Sequence, residues 1–271
     1  MIRIDAHHHV WRVDRGDYGW LTPDLPICRD YGLADLRPLL GEITATVLVQ
    51  AAPTETETAF LLDTARGSGG LVRGVVGWTD LAAPDAPGRI AAMAADPLLL
   101  GLRPMLQDIA ETGWILRAEV QPALQAMAAA GLRFDALVQP RHLPLLPDVC
   151  ARHPALRVVI DHGAKPAIAA GRFQPWADAI ARVARETAAA CKLSGLVTEA
   201  APGWKAADLR PYVDHLLACF GPDRLMWGSD WPVVNLAGGY TRWRDAALEL
   251  LGATDRNPVL GGTAAAFYGL A

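Results

Sequence analysis

The sequence of 271 residues predicts an α/β fold, a single TIM-type (β/α)8 barrel that occupies residues 1–271 as one domain. Three observations support this prediction. Short apolar runs alternate about eight times with segments that carry apolar residues at helical spacing. The strand-like runs are apolar throughout, which indicates a parallel sheet that is covered on both faces. A barrel of this kind needs about 250 residues, so the chain has the length for one.

An open, doubly wound sheet is the competing architecture, but no glycine-rich phosphate loop follows the first strand. We predict strands at residues 1–4, 46–50, 71–78, 98–103, 132–139, 156–162, 191–194 and 224–230. We predict helices at residues 54–67, 89–95, 122–131, 145–152, 176–189, 209–220 and 243–251, the last being the final long helix.

The helix at 54–67 begins with a capping box formed by Thr54 and Glu57. In this motif the Thr54 hydroxyl accepts a hydrogen bond from the Glu57 amide, and the Glu57 carboxylate reaches back to the Thr54 amide. Both orphan donors at the start of the helix would then have a partner, so the motif predicts a well-defined helix start.

Two connections, residues 11–40 and 104–116, are long and contain aromatic residues, proline and glycine. Long ordered loops in compact domains are usually functional, so we expect these two to determine the choice of substrate. The alternative is that they only cover the rim of the barrel.

The composition excludes several classes of protein. The net charge is −4 and Lys and Arg are scattered, which argues against a nucleic-acid partner. No apolar run is long enough to span a bilayer, and the first residues do not resemble a secretory signal. The four cysteines are far apart and lack metal-type spacing, so we expect reduced thiols, two or three of them in the core. These features predict a cytoplasmic protein whose partner is a small molecule.

The start of the chain carries the strongest chemical signal, DAHHHVW at residues 5–11. Side chains alternate along a strand, so His7 and His9 share one face with Asp5 while His8 points away. Two imidazoles on one face can bind a divalent metal through neutral ring nitrogens, and Asp5 could orient one of them. The residues alone leave a purification remnant or a surface histidine cluster as alternatives.

In a parallel barrel the active site lies at the carboxyl ends of the strands. His162 ends the sixth predicted strand and Asp230 the eighth, so both should meet His7 and His9 there. We predict that His7, His9, His162 and Asp230 bind one divalent metal, with an open coordination position for water. Asp230 and His162 are the predicted catalytic residues, with Asp230 accepting the proton of the attacking water. The alternatives are a core histidine for His162 and a turn cap for Asp230.

Further polar and aromatic residues lie at or just beyond strand ends. Arg103 or Lys192 could hold an anionic or hydroxyl-rich substrate. His142 lies past the fifth strand, as a rim residue that contacts substrate or is simply at the surface. The predicted substrate-binding residues are Gln50, Trp78, Arg103, His142, Lys192 and Trp231. For the tryptophans, packing in the core is an equally good interpretation.

Five motifs together resemble the sugar-lactonase branch of the amidohydrolase superfamily, which includes L-fuconolactonase-, L-rhamnonolactonase- and sulfomuconolactone hydrolase-like proteins. They are DAHHHVW at 5–11, QPRHLP at 139–144, VIDHGAKP at 159–166, CKLSGL at 191–196 and WGSDWP at 227–232. The resemblance implies a metal-dependent-hydrolase-like barrel that opens lactones with water. It also implies that His7, His9 and His162 bind metal or water and that Asp230 is the catalytic aspartate.

The chain departs from the wider superfamily at the end of the fourth strand. Arg103 stands there, and no lysine or glutamate is present that could bridge two metal ions. We therefore expect a single zinc-like ion. Some lactonases of this superfamily work without metal, so a metal-independent reaction is the alternative.

The expected function is hydrolysis of a small lactone, such as an L-fucono- or L-rhamnonolactone, in carbohydrate catabolism. One alternative is a decarboxylase or dicarboxylate-lactone hydrolase on the same barrel, which would need a second cation beside Arg103. Another is a non-catalytic barrel that binds sugar acids; the intact set of histidines and Asp230 argues against it.

Overall fold

The computed structural model describes residues 2–253 and 256–270. One sheet of eight parallel strands follows chain order, each strand pairing with the next, which confirms the predicted barrel. The strands are β1 Ile4–His8, β2 Ala45–Val49, β3 Val72–Gly77, β4 Leu99–Leu102, β5 Arg133–Ala136, β6 Val158–Ile160, β7 Ala190–Leu193 and β8 Leu225–Trp227. β6 and β8 end earlier than predicted, so His162 and Asp230 lie in the turns that follow them.

Helices cover the outside of the sheet between successive strands. They are α1 Leu33–Leu36, α2 Glu55–Arg66, α3 Ala86–Met93, α4 Gln121–Ala129, α5 Leu146–Arg152, α6 Trp176–Glu186, α7 Ala206–Phe220, α8 Tyr240–Leu250 and α9 Thr263–Tyr268. The sequence interpretation missed α9. Its Phe267 and Tyr268 pack against the barrel interior beside Ile4 and Met226, so α9 closes the amino end of the barrel.

The barrel closes where the two ends of the sheet meet beyond β8. The Asp230 amide donates to the His7 carbonyl at 2.8 Å, and the His9 amide donates to the Trp231 carbonyl at 2.6 Å. These bonds join the end of β1 to the turn after β8. The seam of the barrel therefore contains three of the predicted metal-binding residues, His7, His9 and Asp230.

The start of α2 differs in part from the predicted capping box. The Thr54 hydroxyl accepts from the Glu57 amide at 3.0 Å, as expected. The Glu57 carboxylate, however, accepts from the Ala51 and Ala52 amides, the latter at 2.7 Å, so its predicted bond to the Thr54 amide is wrong. The loop after β2 places its own amides within hydrogen-bonding distance of the Glu57 carboxylate.

The connection from residue 11 to residue 40 is ordered, as predicted. Trp11 is fully buried and its indole N–H donates to the Arg29 carbonyl at 2.7 Å. The Trp11 and Tyr31 main chains also exchange hydrogen bonds of 3.0 Å. These contacts fold the connection into a compact layer on the carboxyl end of the barrel.

All four cysteines are free thiols, as predicted, but only Cys191 is buried. Cys28, Cys150 and Cys219 are partly buried and pack against the edge of the hydrophobic core, so one fully buried cysteine is found where two or three were expected. Among the described residues, no helix combines the length and apolar character that crossing a membrane requires.

Candidate active site at the carboxyl end of the barrel

The structure brings the four predicted metal-binding residues together around one carboxylate oxygen. Oδ1 of Asp230 lies 3.2 Å from Nε2 of His9, 3.8 Å from Nε2 of His7 and 3.9 Å from Nε2 of His162. All four side chains are buried or nearly so. They lie at or just beyond the ends of three strands, β1, β6 and β8, so the cluster forms only when the barrel closes.

Two of these side chains, Asp230 and His162, are oriented by a left-handed backbone conformation. Asp230 has φ of 57° and His162 has φ of 54°, and Ala164 and Lys165 follow with φ of 62° and 52°. Such conformations cost non-glycine residues on the order of 1–3 kcal/mol each and concentrate at functional sites. The Trp176 indole donates to the carbonyl of Gly163 at 2.7 Å and holds the turn after β6 in place.

Hydrogen bonds on the far ring nitrogens orient the histidines. Nδ1 of His9 lies 2.8 Å from the Val49 carbonyl, which can only accept, so that nitrogen carries the proton. Nε2 of a neutral His9 then points a lone pair at a carboxylate oxygen 3.2 Å away, a repulsive pairing unless a cation lies between them. A proton or a metal ion satisfies this contact. Nδ1 of His162 is similarly held by the Ser194 hydroxyl at 2.9 Å.

The cluster fits a divalent metal ion. Two ligands bound at about 2.0–2.1 Å to a tetrahedral ion lie about 3.3 Å apart, close to the separations from Asp230 to the three imidazoles. His7, His9 and Asp230 each place one ligand atom within 4.8 Å of the others, as do His7, Asp161 and His162. Neutral imidazole and carboxylate form a donor set that suits such an ion.

Burial controls the protonation of the cluster. It lowers the pKa of His162 to about 4, against the smaller opposing effects of Asp230 and Asp161, so this imidazole is neutral at pH 7. Burial and the nearby Lys192 ammonium lower the pKa of His7. For Asp230, burial alone would raise the pKa, but the surrounding histidines outweigh it and hold the pKa well below its usual range. The site therefore offers an ionised carboxylate beside the neutral imidazole of His162.

Asp5 and His8 support the cluster from behind. Oδ1 of Asp5 accepts from the His7 amide at 3.2 Å and from the Ser229 amide at 2.8 Å. Asp5 thus fixes the main chain of His7 and not, as expected, an imidazole ring. His8 points away from the cluster, as predicted, with Nε2 2.9 Å from the Thr46 hydroxyl.

A fully buried ionic network lies beneath His7. Nζ of Lys192 is 2.5 Å from Oδ2 of Asp135, 3.1 Å from Oδ1 of Asp161 and 3.2 Å from Nδ1 of His7. Burial alone would raise the pKa of Asp161, but the charge of the Lys192 ammonium outweighs it and lowers the pKa. NH1 of Arg103 lies 3.3 Å from Oδ2 of the same carboxylate and 3.4 Å from Nε2 of His7. The network fixes the His7 ring from below.

Asp135 and Asp161 are functional candidates that the sequence interpretation missed. Both were visible as single carboxylates inside apolar strand-like runs, a pattern that in a barrel interior demands a cationic partner. The hydroxyl of Tyr268 on α9 donates to Oδ2 of Asp135 at 2.7 Å. The network therefore reaches from α9 at one end of the barrel to His7 near the other.

A cavity of about 290 Å³ opens above the cluster. Of the predicted residues, His9, Arg103, His162 and Asp230 line it. The other lining residues were not predicted and are Trp20, Leu25, Ala51, Met105, Gln107, Asp108, Leu137, Lys165, Val233 and Leu236. The connections 11–40 and 104–116 both contribute to its walls, as their length suggested.

Five predicted substrate-binding residues do not line this cavity. Gln50 donates to the Arg103 carbonyl at 2.7 Å, and Lys192 belongs to the network below His7. Trp231 packs on Tyr31 with ring centroids 5.3 Å apart. Their contact with substrate, and that of the two residues described next, stays a prediction.

Trp78 and His142 complete that set. Trp78 is half-buried, and its backbone amide donates to the Thr58 hydroxyl at 2.9 Å. His142 is only 2% exposed, so the alternative of a surface residue is wrong. Its Nδ1 accepts from the Gln139 amide at 3.0 Å, and burial lowers its pKa.

The model of the protein family described as Amidohydrolase matches residues 4–270. The chain belongs to the amidohydrolase family. A protein named L-fucono-1,5-lactonase from Burkholderia ambifaria is 46% identical to this amidohydrolase, over 98% of this chain and 95% of its own. A second L-fucono-1,5-lactonase, from Burkholderia multivorans, is 40% identical over 99% of this chain and 96% of its own. The resemblance to the sugar-lactonase branch is thereby confirmed.

Solved structures agree with this assignment. The crystal structure of a Burkholderia multivorans amidohydrolase with bound zinc superimposes on this chain with a TM-score of 0.91, at 38% identity and with 100% of both chains covered. A second crystal form of that amidohydrolase, with bound HEPES, gives a TM-score of 0.92 at the same identity and coverage. This chain and the Burkholderia multivorans amidohydrolase therefore share the barrel fold along their whole length.

Proposed function

We propose that this amidohydrolase opens a sugar 1,5-lactone of the L-fuconolactone type by attack of water that Asp230 activates. The observation that carries the proposal is the Asp230 carboxylate at the floor of the cavity, within 3.9 Å of three imidazole nitrogens. The two relatives named L-fucono-1,5-lactonase bear out the prediction of a lactone-hydrolysing enzyme. They do not favour the decarboxylase or the non-catalytic barrel.

The reaction requires one proton acceptor and one group that returns a proton. Water adds to the lactone carbonyl carbon while Asp230, ionised because its pKa is low, accepts a water proton. The bond from the carbonyl carbon to the ring oxygen then breaks, and Asp230 returns the accepted proton to the ring oxygen, which regenerates the carboxylate. The product is the open hydroxy acid. Since the histidine contacts of Asp230 use Oδ1, we assign the proton transfer to Oδ2.

We propose that the cluster binds one zinc ion through His7, His9, His162 and Asp230. The separations around Oδ1 and the bound zinc in the structure of the Burkholderia multivorans amidohydrolase support this. A zinc ion in this position supplies Lewis acidity, which polarises a carbonyl group and lowers the pKa of water. His162 is neutral near pH 7 and is therefore available as a ligand.

The charges in the cavity argue against a dicarboxylate substrate. Of the residues described, Arg103 and Lys165 are the cations that line the cavity. Arg103 is neutralised by Asp161 at 3.3 Å, and Nζ of Lys165 lies 3.5 Å from Oε1 of Glu199. Both cations already have acidic partners, so a neutral, hydroxyl-rich ring suits the cavity better than two carboxylates.

Acid release from a panel of sugar lactones, followed with a pH indicator, tests the proposal. We expect turnover of L-fucono-1,5-lactone by the purified protein and loss of turnover after chelation, with recovery on adding zinc. Turnover that persists after complete metal removal would overturn the zinc assignment while leaving the lactonase assignment in place. No acid release from any sugar lactone would overturn both.

Two further expectations remain proposals. We propose that residues 1–271 act as one domain, because the eight strands form a single sheet. We also propose that the protein works in the cytoplasm, in carbohydrate catabolism, which its free thiols support.

A further inference from the structure

Trp20 is distinctive among the residues around the cavity. Apart from the histidines of the cluster, it is the one aromatic side chain that lines the cavity in residues 2–253 and 256–270. It is only partly buried, whereas Trp11 and Trp231 nearby are almost completely buried. Packing therefore leaves part of the Trp20 ring uncovered at the cavity.

The position of the Trp20 ring is fixed before any ligand binds. Its indole N–H donates to the Ala51 carbonyl at 2.8 Å, directly after β2. Its ring meets the Trp11 ring edge to face, with centroids 5.4 Å apart and planes at 86°. Because the N–H already has a partner, Trp20 can offer a ligand only its ring.

A chain of aromatic contacts connects Trp20 to the turn after β8, which carries Asp230. Trp11 contacts Tyr31 with centroids 5.5 Å apart, and Tyr31 contacts Trp231 at 5.3 Å. Trp231 is the residue after Asp230 in the chain. The connection 11–40 is therefore a rigid wall that is anchored beside the proton acceptor.

Three polar residues on the cavity wall suggest what Trp20 contacts. Gln107, Asp108 and Lys165 offer hydrogen-bonding groups at the cavity, as sugar hydroxyls require. A sugar ring also has faces made of C–H bonds, which the neighbouring oxygens make electropositive. The face of an aromatic ring is electronegative, so the two attract and exclude water.

We propose that Trp20 is a specificity-determining residue that stacks on the C–H face of a polyhydroxylated lactone ring. Gln107, Asp108 and Lys165 then bind the ring hydroxyls. This inference rests on the proposed lactonase function and identifies the part of the site that recognises a sugar. Preorganisation of the indole by Ala51 and Trp11 limits the entropic cost of binding.

The variants Trp20→Ala and Trp20→Phe test the proposal, with Trp114→Ala as the control. Trp114 is also a half-buried tryptophan of a long connection, but it does not line the cavity. For Trp20→Ala we expect KM for L-fucono-1,5-lactone to rise about tenfold or more with kcat changed less than threefold. Trp20→Phe should recover part of the loss, and Trp114→Ala should resemble the wild type.

A second kinetic comparison uses two lactones that differ in their hydroxyl groups. δ-Valerolactone has the same ring size but no hydroxyls that polarise its C–H bonds. Trp20→Ala should therefore lose less affinity for δ-valerolactone than for the sugar lactone. Equal losses for both lactones, or a fall in kcat together with the melting temperature, would assign Trp20 a structural role and overturn the proposal.

Binding of L-fucose, measured by calorimetry, separates this proposal from the lactonase proposal. In its pyranose form L-fucose has a hydroxylated six-membered ring but no ester bond that could be hydrolysed. Weaker L-fucose binding by Trp20→Ala than by the wild type supports the stacking role, even if no lactone is turned over. Turnover of sugar lactones by the wild type with unchanged L-fucose affinity in Trp20→Ala would overturn the role of Trp20 alone. Absence of both turnover and L-fucose binding in the wild type would overturn both proposals.

Discussion

Nε2 of His9 lies 3.2 Å from Oδ1 of Asp230, although the two residues are 221 positions apart in the chain. This contact spans the seam where the barrel closes. The Val49 carbonyl fixes the His9 ring from behind, so the contact has one defined geometry.

Asp230→Asn should reduce kcat for lactone hydrolysis by about 10²–10⁴-fold, because an amide cannot accept the proton from water. The side-chain shape is kept, so the melting temperature should change little. Kinetics with a sugar lactone and thermal denaturation measure the two effects. Normal hydrolysis by this variant would remove Asp230 from the mechanism.

Gly228→Ala should reduce both activity and stability. An added Cβ would lie 2.6 Å from Cβ of His7 and 3.0 Å from its amide nitrogen, so the strand that carries His7 must move. We expect a loss of about 1–3 kcal/mol in the free energy of unfolding, together with weaker binding of the proposed zinc ion. Gly88→Ala on α3 is the control, since a Cβ there meets nothing within 4 Å. It should be neutral or stabilising by up to about 1 kcal/mol.

Lys192→Met should destabilise the fold by about 3–5 kcal/mol, because it leaves the buried Asp135 and Asp161 without their shared cation. Chemical denaturation measures the loss. The double variant Lys192→Met with Asp135→Asn removes one charge of each sign, so it should be more stable than the single variant. A single variant as stable as the wild type would show that the network contributes nothing to folding.

Glu57 should make stability fall as the pH rises. Burial raises its pKa from 4.5 to about 7, against the opposing hydrogen bonds from Ala51 and Ala52. Between these values the folded state keeps a proton that the unfolded state has lost, so the free energy of unfolding decreases with pH. The full effect is about 3 kcal/mol, present below pH 4.5 and lost by about pH 7.

Urea denaturation of the wild type and of Glu57→Gln from pH 4.5 to pH 8 measures this effect. The glutamine cannot titrate, so the wild type should lose stability relative to the variant across this range. The difference should become constant above about pH 7. Parallel stability curves for the two proteins would show that Glu57 does not hold a proton in the folded state.

The sequence predicted the barrel and the central cluster because both follow from simple periodicities. His7 and His9 lie on one strand face, and strand ends converge at one rim of a parallel barrel. The same rule does not show how far below the rim a side chain lies. Lys192 and Ser194 share a face of β7 and its extension, but Lys192 lies one layer deeper, where it meets Asp135 instead of the cavity.

Two of the cavity residues that the sequence did not predict lie where the backbone leaves regular structure. Lys165 reaches the cavity because the turn after β6 is left-handed, and Trp20 does so because a long connection folds back over β2. The residue types alone do not predict that Lys165 and Trp20 reach the cavity. α9 was missed because it is short, and only its packing against Ile4 and Met226 makes it a stable helix.

The hydrogen bonds of the seam, from Asp230 to His7 and from His9 to Trp231, join the first strand to a turn made late in synthesis. A chain emerging from the ribosome carries both histidines early but lacks Asp230, the carboxylate that both approach, until the eighth strand is complete. If Asp230 is the proton acceptor that we propose, partly made protein is inactive. The appearance of activity during translation would report, in one measurement, that the whole barrel has assembled.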